Sequence, residues 1–188
     1  RGFAATGGED HLHSFLRLQE RRLPLLVTLK RFRDQGETIC GIATACSLVD
    51  QPQNSSRWYT LARKVEEASG FFSLECQACM GLGNLAMGES RKEEGLALLR
   101  TAVEAAQLNG LDDPGYVIHA LEPLINALFK TDAIDETELM VLRYREAFKE
   151  WSGKDLSYDV RSLFYSARLH EERGTNAYVS RCISNSAG

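Results

Sequence analysis

Apolar residues recur at three- and four-residue spacing along almost all of this 188-residue chain, broken only by short polar turns. That spacing stacks side chains on one face of an α-helix and offers a sheet no alternating pattern. It predicts helices over about 11–22, 24–34, 36–49, 55–69, 71–87, 91–108, 114–130, 135–151, 156–173 and 175–185. Turns this short make sequence neighbours antiparallel. The expected fold class is therefore all-α, with antiparallel helix pairs over 36–69, 71–108, 114–151 and 156–185, preceded by helices within 11–34. Glycine-rich residues 1–10 read as a flexible terminus, and 11–188 as one domain.

The punctuation fits this plan. Pro24 can open a helix, and Pro114 can open another with Asp113 as its cap. Ser55 or Ser56 is placed to cap a helix after the turn at Asp50, and Gly70, Gly88 and Gly110 stand where helices should stop. Asp135 and Glu138 have capping-box spacing. Pro123 should kink its helix or mark its true start.

The stretch Met80–Ala106 is the most patterned. Leu82-Gly83 precedes Ala86, and Gly95, Leu99 and Ala102 follow in the next helix. Gly83 and Gly95 would let two helix backbones approach closely. This order of large, small and apolar positions resembles the tetratricopeptide repeat, with Cys79 and Ala86 in place of its aromatic residues. Tyr59–Ala68 and Leu96–Ala105 align at a shift of 37, matching Arg63 to Arg100, and a further shift of 43 brings in Arg143. The resemblance implies a right-handed solenoid of stacked hairpins with a concave groove that binds a peptide or protein segment. It further implies that Asn84, following the glycine, contacts a bound peptide backbone, and that Asn126, 42 residues later, does so one unit on. Met80 and Glu122 stand where carboxylate-clamping members of the family have lysines, which argues against capture of a C-terminal carboxylate.

Helix faces supply the remaining candidates. The 71–87 helix is apolar nearly all round, as an inner helix should be, and its narrow polar strip holds Gln77 and Asn84 beside Met80. In the 114–130 helix the strip is His119, Glu122, Asn126 and Lys130. Arg161 and Arg168 lie on one line of the last long helix, where they could anchor an acidic partner or form salt bridges on a solvated face. Leu23–Arg33 is apolar, then basic; it could dock on an acidic membrane or partner, but is expected to cap the array with Leu25, Leu26, Leu29 and Phe32 inward.

A net charge of −4 argues against nucleic acid, and no apolar run reaches the ~18 residues of a membrane span. Five cysteines at irregular spacing make a poor disulfide framework and suggest an intracellular, reducing compartment. Cys76-x-x-Cys79 falls mid-helix without further ligands, so core packing is expected rather than zinc or redox work. No nucleophile elbow, phosphate loop or metalloprotease motif occurs, and no catalytic residue, cofactor or metal is expected. Two functions fit: a non-enzymatic interaction scaffold, or a regulatory or sensor domain of a larger protein that closes over a small ligand or signalling peptide. Opening on Arg1 rather than Met fits the second, as a trimmed start. Oligomeric state has no signature here.

Overall fold

Gly83 and Gly95 face each other across a helical hairpin. A Cβ on Gly83 would lie 2.7 Å from Leu99 Cγ and 3.1 Å from the Gly95 carbonyl oxygen; one on Gly95 would lie 2.8 Å from Met87 and 3.1 Å from the Gly83 oxygen. Hydrogen in both places lets the backbones of α4 (Phe72–Gly88) and α5 (Lys92–Asn109) close on each other. Both glycines are buried, as are Leu99 and Ala102.

The computed structural model describes residues 6–69, 72–109, 114–151 and 161–174. All regular structure among them is helical. Besides α4 and α5 these are α1 (Thr6–Thr28), α2 (Phe32–Leu48), α3 (Pro52–Ser69), α6 (Pro114–Phe129) and α7 (Ile134–Glu150), with α8 over 161–174. The stops expected at Gly70 and Gly110, the Asp113 cap and the 175–185 helix lie outside the described residues.

The chain, expected as one domain over 11–188, divides into two compact units, Arg1–Asn109 and Gly110–Gly188. In the first, each helix packs on its sequence neighbour, and α2 also touches α4. That last contact joins the first helices of successive hairpins, as stacking requires. Its core runs through Ile39, Cys40 and Ala43 of α2, Tyr59 and Ala62 of α3, and Leu74 and Ala78 of α4. A second cluster seats Leu16 of α1 on Ile42, Ala45 and Cys46. In the second unit α6 packs on α7, and Tyr165 of α8 meets both, 6.3 Å from the Phe129 ring and 5.7 Å edge-on from Tyr144.

Each hairpin turns the same way. Asp50, Ser90 and Asp132 take positive φ of 56°, 63° and 54°. The next amide reaches back five residues, from Gln51 to the Cys46 oxygen (2.9 Å), Arg91 to Ala86 (2.9 Å) and Ala133 to Leu128 (3.3 Å). This closes the helix end in a Schellman turn. The turns are 40 and 42 residues apart, which sets the true register. Ala43, Ser55, Tyr59 and Ala62 thus correspond to Gly83, Gly95, Leu99 and Ala102. The shift of 37 is corrected: it matched half-buried Arg63 to exposed Arg100, neither of which lies at the small-residue contact that sets the register.

Several boundaries differ from expectation. Residues 6–10, expected as part of a loose terminus, are helical and open α1. Pro24 does not open a helix but lies inside α1. Its missing amide removes the helical bond to the Glu20 carbonyl, at an exposed position where water can replace it. The expected 24–34 helix is therefore absent; the chain turns at Lys30 (φ 52°) and α2 starts at Phe32. Pro123 is likewise accommodated within α6. Pro52 begins α3, so Ser55 is not its cap; the Ser55 hydroxyl donates to the Ala43 oxygen at 2.8 Å across the hairpin. α7 starts after Ala133 without a side-chain cap, so the Asp135–Glu138 box does not form. Of the Leu23–Arg33 residues expected inward, Leu26 is buried but Leu25, Leu29 and Phe32 are exposed.

A Cβ on Gly81 would lie 2.2 Å from the Tyr59 ring, and a ring wedged in a core cannot bend away. We predict that Gly81→Ala lowers stability by about 1–3 kcal/mol in urea unfolding through overpacking. Gly88→Ala, with nothing within 4 Å, should leave it unchanged or raise it by up to about 1 kcal/mol. Equal effects of the two substitutions would contradict the packing described.

Candidate peptide-binding face

Helical spacing places Gln77, Met80, Gly81 and Asn84 on one face of α4. Asn84 is exposed, and Gln77, Met80 and Gly81 are half-buried. Forty residues earlier, α2 carries Glu37, Cys40, Gly41 and Thr44 at the corresponding positions. Tyr59 ties the two helices together. Its phenol oxygen lies 2.9 Å from the Thr44 hydroxyl, which also donates to the Cys40 carbonyl at 3.0 Å. Its ring occupies the space left by the missing side chain of Gly81. Burial pushes the Tyr59 pKa up, against the Thr44 hydrogen bond. The strip thus has a rigid floor, with exposed polar groups at Thr44 and Asn84. The Asn84 amide can offer a peptide unit both a donor and an acceptor.

The second unit uses the equivalent positions differently. His119 and Asn126 are exposed on α6, and Lys130 is exposed just past its end. Glu122, between them, receives the Arg161 guanidinium of α8 and the Tyr144 hydroxyl of α7, the latter at 3.4 Å. Asn126 hydrogen-bonds Tyr165. Burial, then the Glu122 charge, raises the Tyr144 and Tyr165 phenols. Arg168 lies 4.2 Å above the centre of the Phe129 ring and 3.8 Å from Glu172. Of the two readings of Arg161 and Arg168, the contacts match the salt-bridged one: α8 turns both onto its own unit, where carboxylates and an aromatic face engage them. Asn126, too, is engaged within its own unit.

Sequence reasoning did not bring out Thr44 or Tyr59 in unit one, the packing of Gly81 against Tyr59, or the roles of Phe129, Tyr144 and Tyr165 in unit two. A signal for the first set was present. "CGIA" at Cys40–Ala43 and "MGLG" at Met80–Gly83 share a glycine, a large apolar residue and a small residue at the 40-residue shift.

Cys40, Cys46, Cys76 and Cys79 are buried free thiols. Burial pushes Cys40 and Cys76 up to about 12 and Cys79 to about 11. Among the described residues, no group of three or more His, Cys, Asp and Glu side chains could hold a metal. No described helix is long and apolar enough to cross a membrane. An unfolded thiol ionises near 9, whereas the folded Cys76 resists ionisation until about 12. The unfolded chain then holds fewer protons, so stability is present below pH 9 and is lost as the pH climbs above it. The melting temperature above pH 9 should fall less steeply in Cys76→Ala than in the parent chain, and native Cys76 should resist iodoacetamide until urea is added. Rapid native alkylation of Cys76 would contradict its placement.

These features define an all-α protein of stacked helical hairpins. No family model matches the chain, and no curated protein matches it in sequence. Its fold is similar to the crystal structure of BtubC (BKLC) from P. vanneervenii, with a TM-score of 0.67 at 12 % identity over 94 % of this chain and 77 % of that one. A likeness at that identity shows the fold.

Proposed function

We propose that this chain is a non-enzymatic interaction module, related to the tetratricopeptide class, that holds an extended peptide or protein segment against the α2–α4 face. The observation that carries the reading is the recurrence of an exposed polar residue, Thr44 then Asn84, at matching places of successive hairpins above the Tyr59–Gly81 contact. Extended peptides present a backbone amide every ~3.3 Å, so side-chain amides and hydroxyls on a fixed floor can read them without sequence specificity. The twelve-residue spacing of Gly83 and Gly95 supports the family likeness. The 40–42-residue period exceeds the 34 residues of that repeat. One further turn in each helix, at ~3.6 residues per turn, accounts for the excess. Four buried free thiols favour a reducing compartment.

A displayed random-peptide library selected on the full chain tests the reading. Selected peptides should lose about three- to tenfold in affinity on Asn84→Ala, the worth of one or two hydrogen bonds, with no change in melting temperature. Failure to select any peptide, or equal binding by the variant, would remove the groove from the account.

A further inference from the structure

The turn between α1 and α2 carries side chains that the turns inside the hairpins do not. Leu25, Val27, Leu29 and Phe32 are 65 %, 56 %, 66 % and 48 % exposed, while Leu26 among them is buried. The turns at Asp50, Ser90 and Asp132 together expose one large apolar side chain, Leu48. The backbone of the apolar tip is fully engaged. The Leu29 amide donates to the Leu25 oxygen at 3.0 Å, Lys30 to Val27 at 3.1 Å and Arg31 to Leu26 at 3.0 Å. The Thr28 hydroxyl donates to the Pro24 oxygen at 2.9 Å, and the Gln35 side-chain amide to the Leu26 oxygen at 3.0 Å. Positive charge gathers round the same tip. Residues 17–37 hold six cations and three carboxylates, a net +3 in a chain of −4. Arg31 and Arg33 pair with Asp34 and Glu37. Arg21, Arg22 and Lys30 are exposed and make no ion pair among the described residues.

We propose that this tip docks on a bilayer surface that carries anionic lipid, with Leu25, Val27, Leu29 and Phe32 in the outer acyl layer and Arg21, Arg22 and Lys30 among the headgroup phosphates. Three observations favour lipid. An apolar layer accepts only backbone whose polar groups are bonded internally, and this turn meets that demand. Arg21 and Arg22 stand four and three residues before Leu25 on α1, about 5 Å back along the helix axis. That separation falls within the depth, about 5–10 Å, to which interfacial helices bury their apolar side. The third is charge: the chain is acidic as a whole, yet its cations concentrate beside its most exposed apolar turn, the pairing that an anionic surface rewards. A protein partner needs about 1,000 Å² of fitted surface, whereas four side chains on one turn can enter a fluid layer without any fit. The proposal does not depend on the peptide-binding reading of the α2–α4 face.

Sedimentation of the full chain with lipid vesicles tests the proposal. The chain should pellet with vesicles of mixed phosphatidylserine and phosphatidylcholine but not of phosphatidylcholine alone, and added salt should release it. Each cation at an anionic surface is worth about fivefold in binding, so Arg21→Glu with Arg22→Glu should weaken it at least about tenfold. Leu25→Ser with Leu29→Ser should weaken it at least about tenfold as well, whereas Leu108→Ser, on α5 and 64 % exposed, should not. If circular dichroism shows the double serine variant unfolded, Leu29→Trp decides: its emission should move to shorter wavelength with the anionic vesicles and not with the neutral ones. No pelleting with anionic vesicles, equal pelleting with neutral ones, full binding by the folded serine variant, or an unshifted Leu29→Trp spectrum would overturn the proposal. So would self-association of the chain that Leu29→Ser removes, which would assign the tip to a second copy.

Discussion

Close backbone approach inside the α4–α5 and α2–α3 hairpins governs much of this structure. The contact falls on two positions twelve residues apart, and the chain fills them three ways. Gly83 and Gly95 leave only hydrogen between two helices. Ala43 and Ser55 add a hydrogen bond, the Ser55 hydroxyl spanning the gap to the Ala43 carbonyl. Ile125 and Thr137 are bulkier, and the Thr137 hydroxyl folds back on its own helix at Ala133. A helix held this close cannot slide along its neighbour, so the position of every residue on its outer face is fixed. The Schellman turns serve the same end. Holding Ser90 at φ 63° costs about 1–2 kcal/mol, which burial of side chains such as Leu74 and Leu99 offsets at roughly 1.5–3 kcal/mol each.

Once the helices are fixed, the same positions acquire different chemistry in each unit. On α4, Asn84 sits above a floor made by Tyr59 and Gly81 and faces water. On α6, the matching Asn126 is met by Tyr165, and Glu122 by Arg161 and Tyr144. The second unit has spent its polar strip on holding α8. In the first unit Thr44 is tied to Tyr59 and the Cys40 carbonyl, but Asn84 faces water, and this difference favours the α4 strip as a face for an outside segment.

Much of the architecture was legible. The helices, the short turns and the Gly83–Gly95 contact follow from local spacing and from the volume of single residues. The register between hairpins was less so, because it was sought in matching arginines. Arg63 is half-buried while Arg100 and Arg143 are exposed, so the three do not share one packed position and do not report the register. The small residues do keep step, and the glycines of "CGIA" and "MGLG" mark it. Pro24 and Pro123 misled for a related reason: each removes one helical hydrogen bond, and the surrounding helix tolerates that loss.

The sequence by itself determined that this chain is helical, that its helices pair across short turns, and that one pair closes on glycine. Those outcomes depend on periodicity and side-chain size, which are properties of neighbouring residues. Only the tertiary structure decided that Tyr59 fills the space at Gly81, that Arg161 and Arg168 turn onto their own unit, and that Leu16 and Leu26 of α1 are buried while Leu18 and Leu25 are exposed. Each depends on which distant residue arrives opposite, and that is set when hairpins stack.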